Sequence, residues 1–284
     1  MRRFILTFAC LLFFQTVHAD CNEEAEQLRL NGEIEESINR LTACIDTELA
    51  HVARTYYQLG LANHEKGAYQ TAIEHYTNAI AVEPDYGLAY ASRGLTHGLS
   101  GDLEAALVDL ERAIEINPNR MEPWYYRATL LEGAKKPDAA IADYGRAIEL
   151  TTDRQQLALL HYKRGMLHQS MNARLLAISD LSAAIGQAPG LTEAWFARAR
   201  LHHEIKELDA ALADYSRVIE LDNTNAEAYY QRATIYKKQR LDHLAIKDYN
   251  RALEIDPSLT RAYMGKGFTY LIPLIPVLLV LVLG

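Results

Sequence analysis

The chain has 284 residues, and 49% of them are hydrophobic, so it is long enough to bury a substantial core. Its formal net charge of −8 is spread along the sequence rather than concentrated in one run. This balance argues against a nucleic-acid backbone as the main partner. Neither a low-complexity segment nor a Gly/Ser linker interrupts the sequence, which therefore predicts a folded protein.

The first residues have the features of a secretory signal. A basic start and an apolar stretch at 4–14 are followed by Val17 and Ala19, which put small residues at the −3 and −1 positions of a cleavage site. The apolar stretch is too short to span a bilayer comfortably. We therefore predict that residues 1–19 are a cleaved signal peptide and that the protein is exported to a periplasmic or envelope location.

The segment from Tyr90 to Pro118 predicts two short amphipathic helices joined by a tight turn. Its apolar positions follow helical spacing on both sides of Gly101, and Pro118 stops the pattern. Gly94 on the first helix and Ala106 on the second are small. The two backbones are therefore expected to approach each other closely where the helices cross.

The same pattern recurs through most of the chain. The pair of small residues reappears as Gly60 with Ala72, Ala128 with Ala140, Gly165 with Ala177, Ala199 with Ala211, and Ala233 with Ala245. The period is 34 residues, except that Ala140 and Ala177 are 37 residues apart. An aromatic residue or histidine stands four residues before the first member of each pair, and a proline closes most of the units.

A helix–turn–helix period of this length with this residue pattern resembles the tetratricopeptide repeat (TPR) family. The resemblance covers six repeats over residues 53–257. It implies an all-α fold, an α-solenoid of tandem 34-residue repeats that form a superhelix. In such a fold each repeat buries its apolar face against its neighbours.

Residues 20–52 are predicted to form a degenerate N-terminal repeat or cap, because Ala25, Gly32 and Ser37 take the places of Gly94, Gly101 and Ala106. In that register Cys21 and Cys44 occupy facing positions, and in an exported protein they are expected to form a disulfide. Two buried, unpaired cysteines are the alternative. A lipoprotein signal at Cys21 is a further alternative, although Asp20 stands where a small residue is required.

Paired charges recur in five repeats, with an arginine at the seventh position and an aspartate 16 residues later. The pairs are Arg93 with Asp109, Arg127 with Asp143, Arg164 with Asp180, Arg198 with Asp214, and Arg232 with Asp248. The repeat that has Leu59 instead of the arginine also has His75 instead of the aspartate. This matched loss favours a structural Arg–Asp clasp over a functional basic stripe.

The consequences of breaking a clasp are also predicted. We expect Asp143→Ala to destabilise the fold more than Arg127→Leu, because the first change leaves a partly buried guanidinium without its acid. The second change can replace the charge with packing, as Leu59 suggests.

The resemblance also implies a concave groove that binds peptides, lined by positions two, five, nine, twelve and thirteen of each repeat. Position five carries the aromatic residues Tyr57, Tyr125, Tyr162, Phe196 and Tyr230, and Lys237 and Lys238 make one part of the groove basic. Two interpretations of this aromatic row remain open, a binding platform and ordinary packing. Tyr144 and Tyr215 are placed instead in the seam between helices.

Other chemistry is not indicated. His97, His168 and His202 stand where the family usually has tyrosine, so they are interpreted as packing residues. The sequence has no metal-ligand spacing and no motif of nucleophilic, acid–base or phosphate chemistry. We therefore expect no catalytic residue, no metal and no cofactor.

The C-terminal part predicts the start of an eighth repeat at 258–270 and a hydrophobic tail at 271–284 that contains Pro273 and Pro276. The tail is shorter than the ~20 residues of a membrane-spanning helix. Three interpretations remain open for the tail. The first is a membrane anchor or the start of a longer one. The second is the product of a reading-frame error that replaced a closing helix, and the third is a processed lipid-anchor signal.

Together these features predict an exported, non-enzymatic adaptor that holds another protein or a peptide segment in its groove, contacts a membrane through its tail and does not bind nucleic acid. The first alternative is the targeting half of a larger membrane protein or enzyme truncated after Gly284. A purely structural homo-oligomer is the second alternative.

Overall fold

A computed structural model describes residues 23–45 and 52–271, and this part of the chain is helical, without strands. The helices are α1 (23–30), α2 (Ile34–Ile45), α3 (Val52–Glu65), α4 (Tyr69–Val82), α5 (Gly87–Ser100), α6 (Leu103–Ile116), α7 (Met121–Gly133), α8 (Pro137–Glu149), α9 (Arg154–Ser170), α10 (Arg174–Gln187), α11 (Thr192–Glu204), α12 (Leu208–Leu221), α13 (Ala226–Lys238), α14 (Asp242–Ile255) and α15 (Thr260–Leu271).

The chain divides into two compact units, unit 1 ending at Leu150 and unit 2 beginning at Thr151. In unit 1, α3 packs on α4, α5 on α6 and α7 on α8, and successive hairpins of this unit contact each other through α4 with α5 and α6 with α7. In unit 2, α9 packs on α10, α11 on α12 and α13 on α14, and α15 follows against α14. Within each unit the repeats therefore form the stacked helical hairpins that the period predicts.

The N-terminal hairpin follows the same plan. Ala25 and Ser37 are fully buried, and the Ser37 hydroxyl donates a hydrogen bond to the Ala25 carbonyl oxygen at 2.8 Å. Gly32 adopts a left-handed backbone with φ of 85° in the turn between α1 and α2. These three residues lie where the register of a degenerate repeat requires them.

Close approach of the helices is visible at Gly94. A Cβ atom at this position would lie 2.8 Å from the Leu110 side chain and 3.0 Å from the Ala106 carbonyl oxygen, so only glycine fits without a shift. The wider level of each hairpin is filled by larger residues. The largest fully buried side chains include Tyr76, Tyr144, Tyr215 and Tyr249.

The three extra residues between Ala140 and Ala177 lengthen a helix rather than a loop. Helix α9 has 17 residues, whereas the equivalent helix α11 has 13. The Asp153 side chain caps α9 by accepting a hydrogen bond from the Gln156 backbone N–H. The longer helix begins immediately after the division between the two units.

Several predicted features lie outside the described residues. These are the signal peptide at 1–19, Cys21 and the tail from 272 onwards. Cys44 lies near the end of α2, but its side chain also falls outside the described part, so the disulfide stays a prediction. Within the described ranges, no helix is both long enough and apolar enough to cross a membrane.

Candidate functional site

Three neighbouring hollows in unit 2 are the candidate binding site. The aromatic hollow, of about 380 Å³, lies between Tyr162 and Phe196. The basic hollow, of about 410 Å³, shares Arg200 with it. The terminal hollow, of about 550 Å³, lies beside Tyr230 and shares Lys238 with the basic hollow. Because each hollow shares a lining residue with the next, the three adjoin along unit 2, and together they are called the track.

The track lies on the face that the register predicts for a groove. Positions two, five, nine, twelve and thirteen of the first helices supply much of its lining, for example Glu193, Phe196, Arg200, His203 and Glu204 of α11. These positions share one side of a helix because successive ones are three or four residues apart, except for the adjacent pair twelve and thirteen. The arrangement offers room for an extended polypeptide segment.

The aromatic row of position five is half-buried, because each ring packs on its own repeat. Four rings contact a buried tyrosine 19 residues later: Tyr57–Tyr76 at 5.9 Å, Tyr125–Tyr144 at 6.3 Å, Phe196–Tyr215 at 5.8 Å and Tyr230–Tyr249 at 6.0 Å between centroids. Tyr162 packs on a cluster that contains Leu181 instead. Each residue in the row thus has a packing contact and also keeps exposed surface.

Tyr57 differs from the rest of the row. Its ring also contacts Tyr86 at 5.2 Å, and its hydroxyl accepts a hydrogen bond from Ser92 at 3.5 Å. Burial raises the pKa of the Tyr57 hydroxyl. Since this ring packs on two other rings of unit 1, we assign Tyr57 to packing rather than to binding. Ala91, at the same position in the next repeat, is 3% exposed and also belongs to the core.

The structure joins the five predicted Arg–Asp pairs through two hydrogen bonds each. In the clasp of α7 and α8, Arg127 donates from Nε and Nη2 to the two carboxylate oxygens of Asp143 at 2.7 and 2.8 Å. The same geometry holds for the other four pairs, which are Arg93 with Asp109, Arg164 with Asp180, Arg198 with Asp214, and Arg232 with Asp248. Because each of these guanidinium groups is hydrogen-bonded to its aspartate, we assign the five arginines a structural role.

The acid is more deeply buried than the guanidinium in each clasp. The Asp109 side chain is 6% exposed against 18% for Arg93, and the Asp248 side chain is 6% exposed against 17% for Arg232. As whole residues the five acids are 4–5% exposed: Asp109, Asp143, Asp180, Asp214 and Asp248. Carboxylates at this depth belong to the core, so we assign none of them to ligand binding.

The clasps also connect neighbouring hairpins, which the sequence reasoning missed. The third guanidinium nitrogen, Nη1, donates a hydrogen bond to a hydroxyl of the preceding hairpin in Arg93–Thr77 at 3.0 Å, Arg198–Ser182 at 2.9 Å and Arg232–Ser216 at 3.0 Å. The sequence does contain a pattern that predicts this contact, because each hydroxyl residue stands 16 residues before its arginine. Four of the arginines also stack on a ring, as Arg198 does on Trp195 at 4.9 Å.

The repeat that lacks a clasp uses apolar packing in its place. Leu59 is 1% exposed and lies in a cluster with Ala25 and Leu41. His75 stacks on Tyr56 with centroids 6.2 Å apart. Burial lowers the pKa of the His75 imidazole, so the ring stays neutral at neutral pH. The matched replacement therefore removes both charges and leaves a neutral contact.

Three family models described as tetratricopeptide repeats match the chain. One matches residues 53–86 and 226–259, the second matches residues 88–120, and the third matches residues 199–239. The chain contains tetratricopeptide repeats. Among curated TPR relatives, tetratricopeptide repeat protein 36 of Danio rerio is 32% identical over 83 residues, 29% of this chain and 44% of that protein. The photosystem I assembly protein Ycf3 of Acaryochloris marina is 34% identical over 79 residues, 27% of this chain and 48% of that protein. These matches span less than half of each relative.

Solved TPR structures show the same fold at low identity. YrrB, described as a TPR protein with an unusual peptide-binding site, superposes with a TM-score of 0.61 at 22% identity over 69% of this chain and 99% of that one. The C-terminal part of a TPR protein from Cytophaga hutchinsonii superposes with a TM-score of 0.72 at 16% identity, over 86% of this chain and 98% of that one. At such identities the likeness establishes the all-α TPR fold and nothing about the ligand.

The predicted basic pair lies on the track, but its two lysines have different surroundings. The Lys237 ammonium lies 5.2 Å from the centre of the Phe268 ring, in the terminal hollow. The Lys238 ammonium lies 2.7 Å from Nε2 of His203. Burial and this ammonium together lower the pKa of His203, so the neutral ring accepts the hydrogen bond.

Histidines elsewhere in this TPR chain are engaged in the fold. His161 lies 3.0 Å from a carboxylate oxygen of Asp180, and His202 lies 2.6 Å from Glu207. His97 and His168 lie near clasp aspartates, at 3.9 and 3.7 Å. Among the described residues, no group of three or more potential ligands is arranged to hold a metal ion.

Proposed function

We propose that this TPR protein is a non-enzymatic scaffold that binds an extended segment of another protein in the hollows of unit 2. The observation that carries the proposal is the half-buried pair Tyr162 and Phe196. Both rings are anchored on the core beneath them and expose a surface to the aromatic hollow. Rings held in this way lose little side-chain entropy when a ligand packs against them, which is typical of binding hot spots.

The family supports the same function. TPR repeats indicate a protein–protein interaction scaffold, and the structurally similar YrrB is described as having a peptide-binding site. The charged residues that recur from repeat to repeat form clasps and surface pairs, so the fold rather than catalysis accounts for their regular spacing.

A panel of labelled random-sequence peptides, measured by fluorescence anisotropy, tests this proposal. Phe196→Ala and Tyr162→Ala should each weaken the tightest peptides by about 5- to 150-fold. Leu175→Ala is the matched control, because Leu175 is 73% exposed on α10 and does not line the track. Failure of every peptide to bind, or equal weakening by all three variants, would contradict the proposal.

We further propose that the scaffold is exported. The support is the basic start, apolar stretch and small cleavage-site residues of 1–19. Mass spectrometry of the purified mature protein should then find an N-terminus at Asp20. An intact N-terminus at Met1 in the expressing cell would contradict the proposed export.

A further inference from the structure

The basic hollow carries positive charge within an acidic protein. Arg200, Lys206 and Lys238 line it, against the single carboxylate of Glu204. That carboxylate already accepts a hydrogen bond from Arg174 at 3.2 Å. The local charge is therefore opposite in sign to the net charge of −8 of the whole chain.

These cations lack acidic partners of their own. Within the described part of the chain, neither Arg200 nor Lys206 forms an ion pair, and Lys238 contacts the neutral ring of His203. Arg198, two residues before Arg200, shows the contrast because it is held by Asp214 in a clasp. Charges without internal partners remain available to a ligand of opposite sign.

In the part of the chain that the structure describes, the buried tyrosine at the basic hollow lacks an acidic hydrogen-bond partner that the equivalent tyrosine of unit 1 has. In unit 1, the hydroxyl of the buried Tyr144 donates a hydrogen bond to the Glu132 carboxylate at 2.8 Å. Tyr215 and His203 occupy the equivalent two positions in unit 2, so the acid is replaced by an imidazole. The Tyr215 hydroxyl is buried at the hollow and has no hydrogen-bond partner among the described residues. Buried hydroxyls normally have one.

Lys206 adds a conformational argument. Its backbone is left-handed, with φ of 67°, at the turn position where unit 1 has Gly67 and Gly101. This conformation favours glycine, so a lysine here is less suited to the turn. Lys135 has the same left-handed backbone in unit 1, with φ of 57°, and provides a matched control.

We propose that the basic hollow binds an aspartate or glutamate side chain of an extended partner segment, with its carboxylate between Arg200, Lys206 and Lys238 and within reach of the Tyr215 hydroxyl. The aromatic hollow shares Arg200 and takes an apolar side chain of the same segment. This inference rests on the proposed scaffold function and names the chemistry of its partner.

Fluorescein-labelled peptides with one phenylalanine and one glutamate, spaced by one to four residues in a Gly/Ser background, are the probe. The reference panel has glutamine in place of glutamate. In anisotropy titrations at low salt, the best glutamate peptide should bind at least about tenfold more tightly than its glutamine counterpart. Arg200→Gln should abolish this preference, and Tyr215→Phe should reduce it, while both variants keep the helical circular dichroism of the parent.

Lys206→Gly separates binding from folding, because it should raise the melting temperature and yet weaken the glutamate preference. Lys135→Gly should raise the melting temperature and leave binding unchanged. Equal binding of both panels would overturn the acidic-partner inference and leave the scaffold proposal standing. Failure of both panels and of the random-sequence peptides would contradict the scaffold itself.

Two competition results would also overturn the inference. Displacement of the glutamate peptide by single-stranded oligo(dT) or anionic lipid vesicles with equal efficiency would identify a general polyanion site. Displacement by unlabelled protein, with self-association lost in Lys206→Gly, would assign the hollow to a second copy of this acidic chain.

Discussion

Removal of one partner from the Arg127–Asp143 clasp should destabilise the protein to a degree that depends on which partner is removed. The sequence alone predicts that Asp143→Ala is the more destabilising change, whereas the burial of the two side chains predicts the opposite order. The Asp143 side chain is 7% exposed, whereas that of Arg127 is 22% exposed and stacks 5.0 Å from the centre of the Trp124 ring.

Magnitudes follow from the contacts. Arg127→Leu leaves a buried carboxylate without its two donors, which typically costs about 3–5 kcal/mol. Asp143→Ala leaves a guanidinium that keeps its ring contact and reaches water, so we expect a smaller loss of about 2 kcal/mol. The double variant that combines Arg127→Leu with Asp143→His copies Leu59 and His75, and it should cost less than Arg127→Leu alone because no charge remains buried.

Urea unfolding at neutral pH, followed by far-ultraviolet circular dichroism and fitted to a nearest-neighbour repeat model, measures these free energies. Arg146→Leu on α8 is the control. Its partner Glu149 is exposed, and such surface pairs contribute about 0–1 kcal/mol. The reasoning would be refuted if Asp143→Ala proved the more destabilising single change, or if both single changes matched the control.

Three further outcomes are expected. Burial raises the pKa of Asp180, but hydrogen bonds from His161 and Arg164 outweigh it and hold the pKa at about 2, below the usual 3.8. The stability from this depressed pKa is full above about pH 4 and is lost as pH falls towards 2, so acid melts should show less loss in this window for Asp180→Asn than for the parent. Gly60→Ala would make its Cβ clash with the buried Tyr76 ring and should lower the free energy of unfolding by about 1–3 kcal/mol in urea melts, whereas Gly133→Ala meets nothing within 4 Å and should not destabilise. A Cys21–Cys44 disulfide would close a loop of about 24 residues and add about 3 kcal/mol, and two reactive thiols in denatured, unreduced mature protein would exclude it.

The fold was predictable because one residue pattern repeats. Gly94 and Ala106 marked the close crossing, Gly101 marked the turn, and Tyr144 and Tyr215 were assigned to the seam, where the structure has them fully buried. Repetition removes ambiguity, since a chance match at one place would not recur with the same spacing.

Other features depend on three-dimensional contacts that a period does not specify. The spacing paired Asp109 and Asp248 with their arginines, but it could not show that these acids lie deeper than the guanidinium groups. The lysines Lys135 and Lys206 occupy left-handed turn positions that composition would assign to glycine. The longer spacing before Ala177 could equally have lengthened a loop, but α9 is extended instead.

The candidate site was predictable in part. The row at position five was recognised, but the sequence left packing and binding equally open. The structure shows that Phe196 packs on Tyr215 and also lines the aromatic hollow. Tyr57 packs on Tyr76 and also on Tyr86, and its position in the repeat does not reveal the second contact. The basic hollow could not be predicted, because only the ion pairs seen in the structure show which cations have no acidic partner.

Photocrosslinking tests the binding track most directly. A p-benzoylphenylalanine replaces Phe196 in one variant and the exposed Leu175 in a second, and each is irradiated with the tightest peptide from the random-sequence panel. A peptide held in the hollows of unit 2 should crosslink from position 196 and be displaced by excess unlabelled peptide, with little product from position 175. Equal crosslinking from both positions, or a position-196 product that excess peptide does not reduce, would contradict binding in these hollows.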